Sequence, residues 1–171
     1  NGRDIYEPNE ILTQLNIEVS KALRQDESDN DDGMDVCLCK FEKTENNGMI
    51  LTYCGAKRPL YILRQGSSEI EKFAGDKLRI GGVSRKANDR KFTNSVTELS
   101  ANDTIYLTSD GFVDQNRSDR KRFGTTRLLH LIQHSAHLPL EQQQQLLKNS
   151  LDEYSKGEKQ RDDITIIGIR I

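Results

Sequence analysis

Three aspartates stand where a carboxylate can serve as a ligand or a base. Asp110 ends the run Ile105-Tyr-Leu-Thr-Ser-Asp-Gly-Phe112, and Asp162 and Asp163 sit side by side in Gln160-Arg-Asp-Asp-Ile-Thr165. An apolar strand runs straight into Ser109-Asp110-Gly111 and stops. A carboxylate at such a strand end, followed by glycine, can reach into a cleft while the backbone turns away. It suits a hard cation, which takes carboxylate and carbonyl oxygens. An Asx-type turn, with Asp110 bonded to the backbone two residues on, explains the same residues equally well. In extended backbone, neighbours point to opposite faces, so at most one of Asp162 and Asp163 should enter a given site. A carboxylate beside a buried sheet is costly unless a cation or hydrogen bonds offset the lost hydration. The plain alternative is that both lie in a solvated loop ahead of the strand.

The elements that position these groups can be read from apolar spacing. Pro8 suits the first turn of a helix, and Ile11, Leu12, Leu15, Val19, Ala22 and Leu23 recur at helical spacing. Gln25 to Asp32 reads as an exposed acidic loop, without the order of carboxylates and glycine that a calcium loop needs. Met34 to Phe41 and Met49 to Cys54 read as strands joined at Asn46-Asn47-Gly48, because a tight hairpin needs residues that tolerate positive φ. Further strands are expected over Pro59–Leu63, Ile70–Phe73, Phe92–Leu99 and Thr104–Thr108. Gly81-Gly82 and the basic stretch Ser84–Lys91 mark loops. Helices are expected over Thr125–His134 and Pro139–Tyr154, and Ile164–Ile171 closes the chain as a β-branched strand. The layout is α+β, with helices packed on sheet faces.

The bulk composition excludes several classes. Of 171 residues, 34% are apolar and 30% charged, and the net charge of −2 is spread along the chain. That is an ordinary globular composition, with no basic footprint for nucleic acid and no polybasic strip for a membrane surface. No apolar run is long enough to insert in a bilayer. Three cysteines, an odd number, argue against a disulfide framework. Cys37 and Cys39 share one strand face and read as reduced core residues in a cytoplasmic compartment. The three histidines all lie in one distant segment, which leaves no second ligand pair for a zinc site.

Six segments in order along the chain carry a resemblance. They are Pro8-Asn-Glu-Ile-Leu-Thr-Gln-Leu-Asn16, Asp32-Gly-Met-Asp35, Tyr53-Cys-Gly-Ala-Lys-Arg-Pro-Leu60, Ile80-Gly-Gly82, Asp103-Thr-Ile-Tyr-Leu-Thr-Ser-Asp-Gly111 and Gln160-Arg-Asp-Asp-Ile-Thr165, with Phe123-Gly124 ahead of the late helix. In these the sequence resembles the bacterial SpoIIE/RsbU type of the PPM, or PP2C-like, serine/threonine phosphatases. The resemblance implies an αββα sandwich of antiparallel sheets flanked by helices, with residues 1–171 forming a single, N-terminally partial domain. It implies a two-metal site for Mn²⁺ or Mg²⁺, and hydrolysis of phosphoserine or phosphothreonine by a metal-activated water. By position, Asp110 and Asp162 would be metal ligands and the catalytic carboxylates, and Gly111 would let the chain turn away beneath the ions. Asp163 would orient Asp162 or the following backbone, with a metal contact as its second reading. Asp35 has a structural role as its first reading and a metal contact as its second. Arg58 is either a planar fork for phosphate or a surface residue of its loop.

One part of the family pattern is missing. The first motif, an acidic residue followed by a Gly-His-Gly turn, does not occur, and no histidine precedes His130. The expectation is therefore a chain that binds metal weakly by itself and turns over little substrate. An open sheet edge would invite a homodimer or a swapped assembly. The expected partner is a phosphoprotein, such as an anti-sigma-factor-antagonist-like protein, and an upstream sensor or receiver domain is expected in the parent protein, which could itself be membrane-attached. The competing reading is a non-catalytic regulatory module built on the same fold.

Overall fold

Proline has no amide hydrogen to leave unpaired, so Pro8 begins the first helix at no cost in backbone bonding. The computed structural model describes residues 6–45, 48–82 and 91–171. In chain order its elements begin with α1 (Pro8–Ala22), β1 (Gly33–Met34), β2 (Val36–Lys43), β3 (Met49–Ala56), β4 (Leu60–Leu63) and β5 (Ile70–Phe73). They continue with β6 (Ile80–Gly81), β7 (Ser95–Leu99), β8 (Thr104–Thr108), α2 (Gly111–Asp114), α3 (Thr125–Ser135), α4 (Leu140–Ser155) and β9 (Ile166–Arg170). The expected turn residues Asn46 and Asn47, and most of the expected 84–91 loop, lie outside the described residues. The chain divides into two compact units, Asn1–Leu60 with Phe73–Ser100 and Tyr61–Lys72 with Ala101–Ile171.

In the first unit, β2, β3 and β7 form an antiparallel sheet with β3 in the centre. The hairpin pairs Lys43 with Met49. The inward positions of α1 are Pro8, Leu12, Asn16 and Ser20. Leu12 joins Cys54, Ala56, Ile80 and Phe92 in a buried cluster, with Leu15 and Val19 packed against it. Asn16 is tolerated inside because its Oδ1 accepts the Gly81 N–H at 2.9 Å.

Three expectations are corrected here. Gln25, read as part of an exposed loop, is buried; its amide donates to Asp32 O at 2.6 Å and accepts the Gly82 N–H at 3.0 Å. Gly81 and Gly82 keep the positive φ of a loop, at 74° and 89°. Even so, Ile80 and Gly81 pair with Met34 and Gly33 as a two-residue antiparallel ribbon. The strand expected from Phe92 starts only at Ser95, because the preceding backbone and side chains bond elsewhere. Thr93 N–H donates to Asp76 Oδ2 at 2.8 Å, and Asn94 Oδ1 accepts the Asn9 N–H in the first turn of α1 at 2.9 Å.

The second unit carries the sheet order β5-β4-β8-β9. Its apolar cluster includes Tyr61, Leu63, Tyr106, Phe112, Phe123, Leu128, Ile132, Leu147 and Leu151. The Tyr106 hydroxyl, buried with them, donates to Gln143 Oε1 at 2.7 Å. Helices α3 and α4 end within a residue of their expected positions, whereas α2 is a single turn after Asp110, too short for apolar spacing to mark. Together the mixed helices and antiparallel sheets make an α+β fold.

Candidate metal centre

Thr108, the last residue of β8, faces Ile166, the first of β9, in their antiparallel ladder. The residues just after β8 therefore lie beside those just before β9. Ser109 fastens the two segments together. Its N–H donates to Thr165 O at 2.9 Å, its hydroxyl donates to Asp163 O at 2.8 Å, and its Oγ accepts the Thr165 N–H at 2.9 Å. These bonds occupy the groups that would have extended the ladder, which is why β9 begins two residues later than Ile164, the expected start. Gly111 completes the clasp: a Cβ there would meet the Asp163 carbonyl oxygen and lie 2.9 Å from its carbon and 3.1 Å from Ile164 Cγ1. Only glycine allows so close a passage. The clasp brings the Asp110 segment beside the Asp162–Asp163 segment, although Ser109 and Asp163 are 54 residues apart in sequence.

Asp110 is half-buried and stands at the N-cap of α2, yet it makes no side-chain capping bond. Its carbonyl accepts the Asp114 N–H at 2.9 Å. Asp162 and Asp163 are exposed in the loop ahead of β9. Asp162 Oδ1 accepts the Asp163 N–H at 2.8 Å, and Gln160 Nε2 donates to the Asp162 carbonyl at 2.8 Å. Upstream, buried Gln115 holds the approach to Asp162. Its Oε1 accepts the Arg161 N–H at 3.3 Å and its Nε2 donates to Lys159 O at 3.2 Å. Sequence reasoning missed both fasteners. Ser109 had a signal, its place in the strand-end motif; Gln115, the residue after α2, had none.

Asp35 and Arg58 belong to the first unit, where they pair with each other. Arg58 Nη2–H donates to Asp35 Oδ2 at 2.8 Å, and the side chains are 17% and 26% exposed for Arg58 and Asp35. The Tyr53 hydroxyl also donates to the Arg58 carbonyl.

Hard carboxylate oxygens at an accessible loop junction are the donor type Mg²⁺ and Mn²⁺ prefer. The glycine contact sets how closely the two carboxylate-bearing segments approach. In kind, then, Asp110 and Asp162 fit a divalent cation. In number they fall short, because among the described residues no three His, Cys, Asp or Glu side chains form a ligand group.

Comparison with known proteins places this arrangement. A family model described as Stage II sporulation protein E (SpoIIE) matches residues 3–171. The chain is similar to the SiaA-PP2C domain of Pseudomonas aeruginosa, at 31% identity over 72% of this chain and 50% of that one, with a TM-score of 0.62. The chain thus spans about half the length of that relative. It is also similar to a bacterial serine phosphatase variant (16% identity, 99% and 71% covered, TM-score 0.61). A third similar structure is the phosphatase domain of the cell fate determinant SpoIIE from Bacillus subtilis, Mn presoaked (16% identity, 100% and 76% covered, TM-score 0.53). At that identity the last two speak for the fold alone. The comparison with curated proteins found no match. The helices and antiparallel sheets make a PP2C-like fold, and the chain belongs to the SpoIIE family.

Proposed function

We propose that this chain supplies the late carboxylates of a divalent-metal-dependent protein serine/threonine phosphatase acting on a regulatory phosphoprotein. The observation that carries the reading is the Ser109–Gly111 clasp, which joins the Asp110 and Asp162 segments at one end of the β8–β9 ladder. Asp110 and Asp162 would hold Mn²⁺ or Mg²⁺, and Asp163 supports Asp162 through its backbone N–H. When bound, the ions would activate water and neutralise charge on the phosphoryl oxygens. The chain's own contribution is to hold half-buried Asp110 and exposed Asp162 at a set spacing beside a loop open to a protein substrate. Arg58 and Asp35, tied to each other, keep a structural role in this reading.

Two carboxylates offer fewer oxygens than a six-coordinate ion takes, so we read the chain by itself as a weak metal binder with low turnover. Exposed Val96 on β7 and Ile167 on β9, at 64% and 49%, support a homodimer that covers an outer strand. The three cysteines are free, which supports a cytoplasmic location. Among the described residues no helix is long and apolar enough to cross a membrane.

The test is a Mn²⁺ titration of the isotope-labelled chain. Paramagnetic broadening should begin at the amides around Asp110 and Asp162 and be lost in Asp110→Asn. Broadening elsewhere, with these amides untouched, refutes the metal assignment and leaves the non-catalytic module as the reading. Brisk Mn²⁺-dependent hydrolysis of a phosphopeptide by this chain alone refutes the low-turnover part.

A further inference from the structure

A groove of about 560 Å³ opens within the second unit between the 116–122 loop and residues 157–161. Arg120, Lys159 and Arg161 line it against a single carboxylate, Glu158, with Asn116 and Gly157 among the remaining walls. Two acidic side chains of the 114–122 stretch are already engaged. Asp119 accepts two hydrogen bonds from the Arg117 guanidinium, each 2.8 Å, and one from the Lys121 N–H at 3.1 Å. Asp114 is paired with Arg122 at 3.0 Å. Among the described residues, the three groove cations take part in no ion pair.

Both walls are built rather than loose. On one side, Arg117 N–H donates to Lys121 O at 3.2 Å and Arg120 N–H to Arg117 O at 2.9 Å. The Tyr154 hydroxyl reaches the carbonyls of Lys121 and Arg122 at 3.1 and 2.9 Å, and the Arg117 guanidinium lies over the Tyr154 ring, 5.6 Å from its centroid. On the other side, Gln115 holds Lys159 and Arg161 by their backbones. Arg120 sits at the loop tip with φ of 64°. That conformation costs a residue other than glycine about 1 kcal/mol or more, so an arginine there points to a use for its side chain. Arg161 directly precedes Asp162, so the groove adjoins the candidate metal centre along the chain.

We propose that this groove receives an acidic segment of the phosphoprotein substrate, with Arg120, Lys159 and Arg161 reading carboxylates that flank the phosphorylated residue. The proposal rests on the phosphatase reading above and gives it a substrate class. Successive side chains of an extended peptide point to opposite faces. A phosphoresidue at Asp110 and Asp162 would therefore direct alternate neighbours toward the Arg161 side. Preorganised walls spare the ordering cost that loose lysines and arginines would incur on binding. Each cation should contribute about two- to fivefold in affinity, and the set about tenfold at low salt.

The test uses the full chain and fluorescein-labelled peptides followed by anisotropy. Phosphoserine peptides flanked by Asp and Glu are compared with ones flanked by Asn and Gln, and with an unphosphorylated acidic peptide, each with and without Mn²⁺. The acidic flanks should tighten binding about tenfold irrespective of Mn²⁺, and the gain should vanish in Arg120→Glu/Lys159→Glu. If that double variant fails to fold, Arg120→Gln/Lys159→Gln should still reduce the preference about four- to fivefold. Equal affinity for acidic and neutral flanks, or a preference unchanged in the variants, overturns the proposal. So does loss of the preference in a few millimolar inorganic phosphate, which would mark a small-anion site. Retained preference for acidic flanks without any Mn²⁺ effect at Asp110 supports the groove while overturning the phosphatase reading; the opposite pattern overturns the groove alone.

Discussion

Substituting Gly111 by alanine should damage the metal centre more than the fold. The added Cβ would lie 2.9 Å from the Asp163 carbonyl carbon and closer still to its oxygen. Carbon atoms in contact prefer about 3.5 Å, so one segment must move by about 0.6 Å or more. Overpacking of this kind costs about 1–3 kcal/mol, and alanine's better helix propensity at the start of α2 returns up to about 1 kcal/mol. The net loss in urea denaturation should therefore lie between about 0 and 3 kcal/mol, and the chain should stay folded. The displaced segment carries Asp162 and Asp163, and metal–ligand distances tolerate only about 0.2 Å. Mn²⁺ affinity, read from line broadening at the Asp110 and Asp162 amides, should fall at least about tenfold, since small misplacements at a site have large effects. A folded Gly111→Ala chain that broadens at the same amides and the same Mn²⁺ concentration as the parent would refute the clasp as the device that sets the spacing.

Three further outcomes follow from other contacts. Gln115→Ala removes the two side-chain bonds that buried Gln115 gives the approach to Asp162, and should cost about 1–3 kcal/mol in urea unfolding; no change would show that water replaces the side chain. The Arg117 guanidinium holds the Asp119 carboxyl down to about 2. That folded value lies below the unfolded value of about 3.9, so the bracing of the loop is complete above about pH 4 and is lost as the pH falls toward 2. The Lys121 amide shift should report this titration, and a midpoint near an ordinary aspartate value would contradict it. Burial pushes the Cys54 thiol up to about 11, whereas the hydrogen bond with Cys37 lowers Cys39 and raises Cys37. Alkylation at pH 8 should reach Cys39 first, as peptide mapping would show, and early labelling of Cys54 would exclude this order.

What could be read from residue types alone was the periodic part of the chain. β8 begins and ends as its apolar pattern predicts, and α3 and α4 fit theirs within one residue, because a buried face imposes its period on the sequence. The parts that escaped are those where side chains replace the backbone ladder. Asn94 diverts its stretch to the start of α1, Ser109 delays β9, and Gln25 and Asn16 bury amides to satisfy glycine N–H groups. Such bonds have no period. Asp110 and Asp162 could be proposed from their strand-end motifs, but neither motif shows that Ser109 and Gly111 would join them, since that contact depends on the pairing of β8 with β9. Asp35 and Arg58 are 23 residues apart with no motif that links them, and only the three-dimensional structure pairs them.

The Ser109–Asp163 contact has a topological side as well. It closes a 54-residue span that contains α2, α3 and α4. A cation held jointly by Asp110 and Asp162 would act as a removable cross-link on that loop. A permanent link across such a span would restrict the unfolded chain by about 4 kcal/mol in the entropic account, and a reversible one scales with occupancy. Amide exchange in α3 and α4, far along the chain from either aspartate, should then slow as divalent ion is added. The ion level would thus set how often the helical excursion opens.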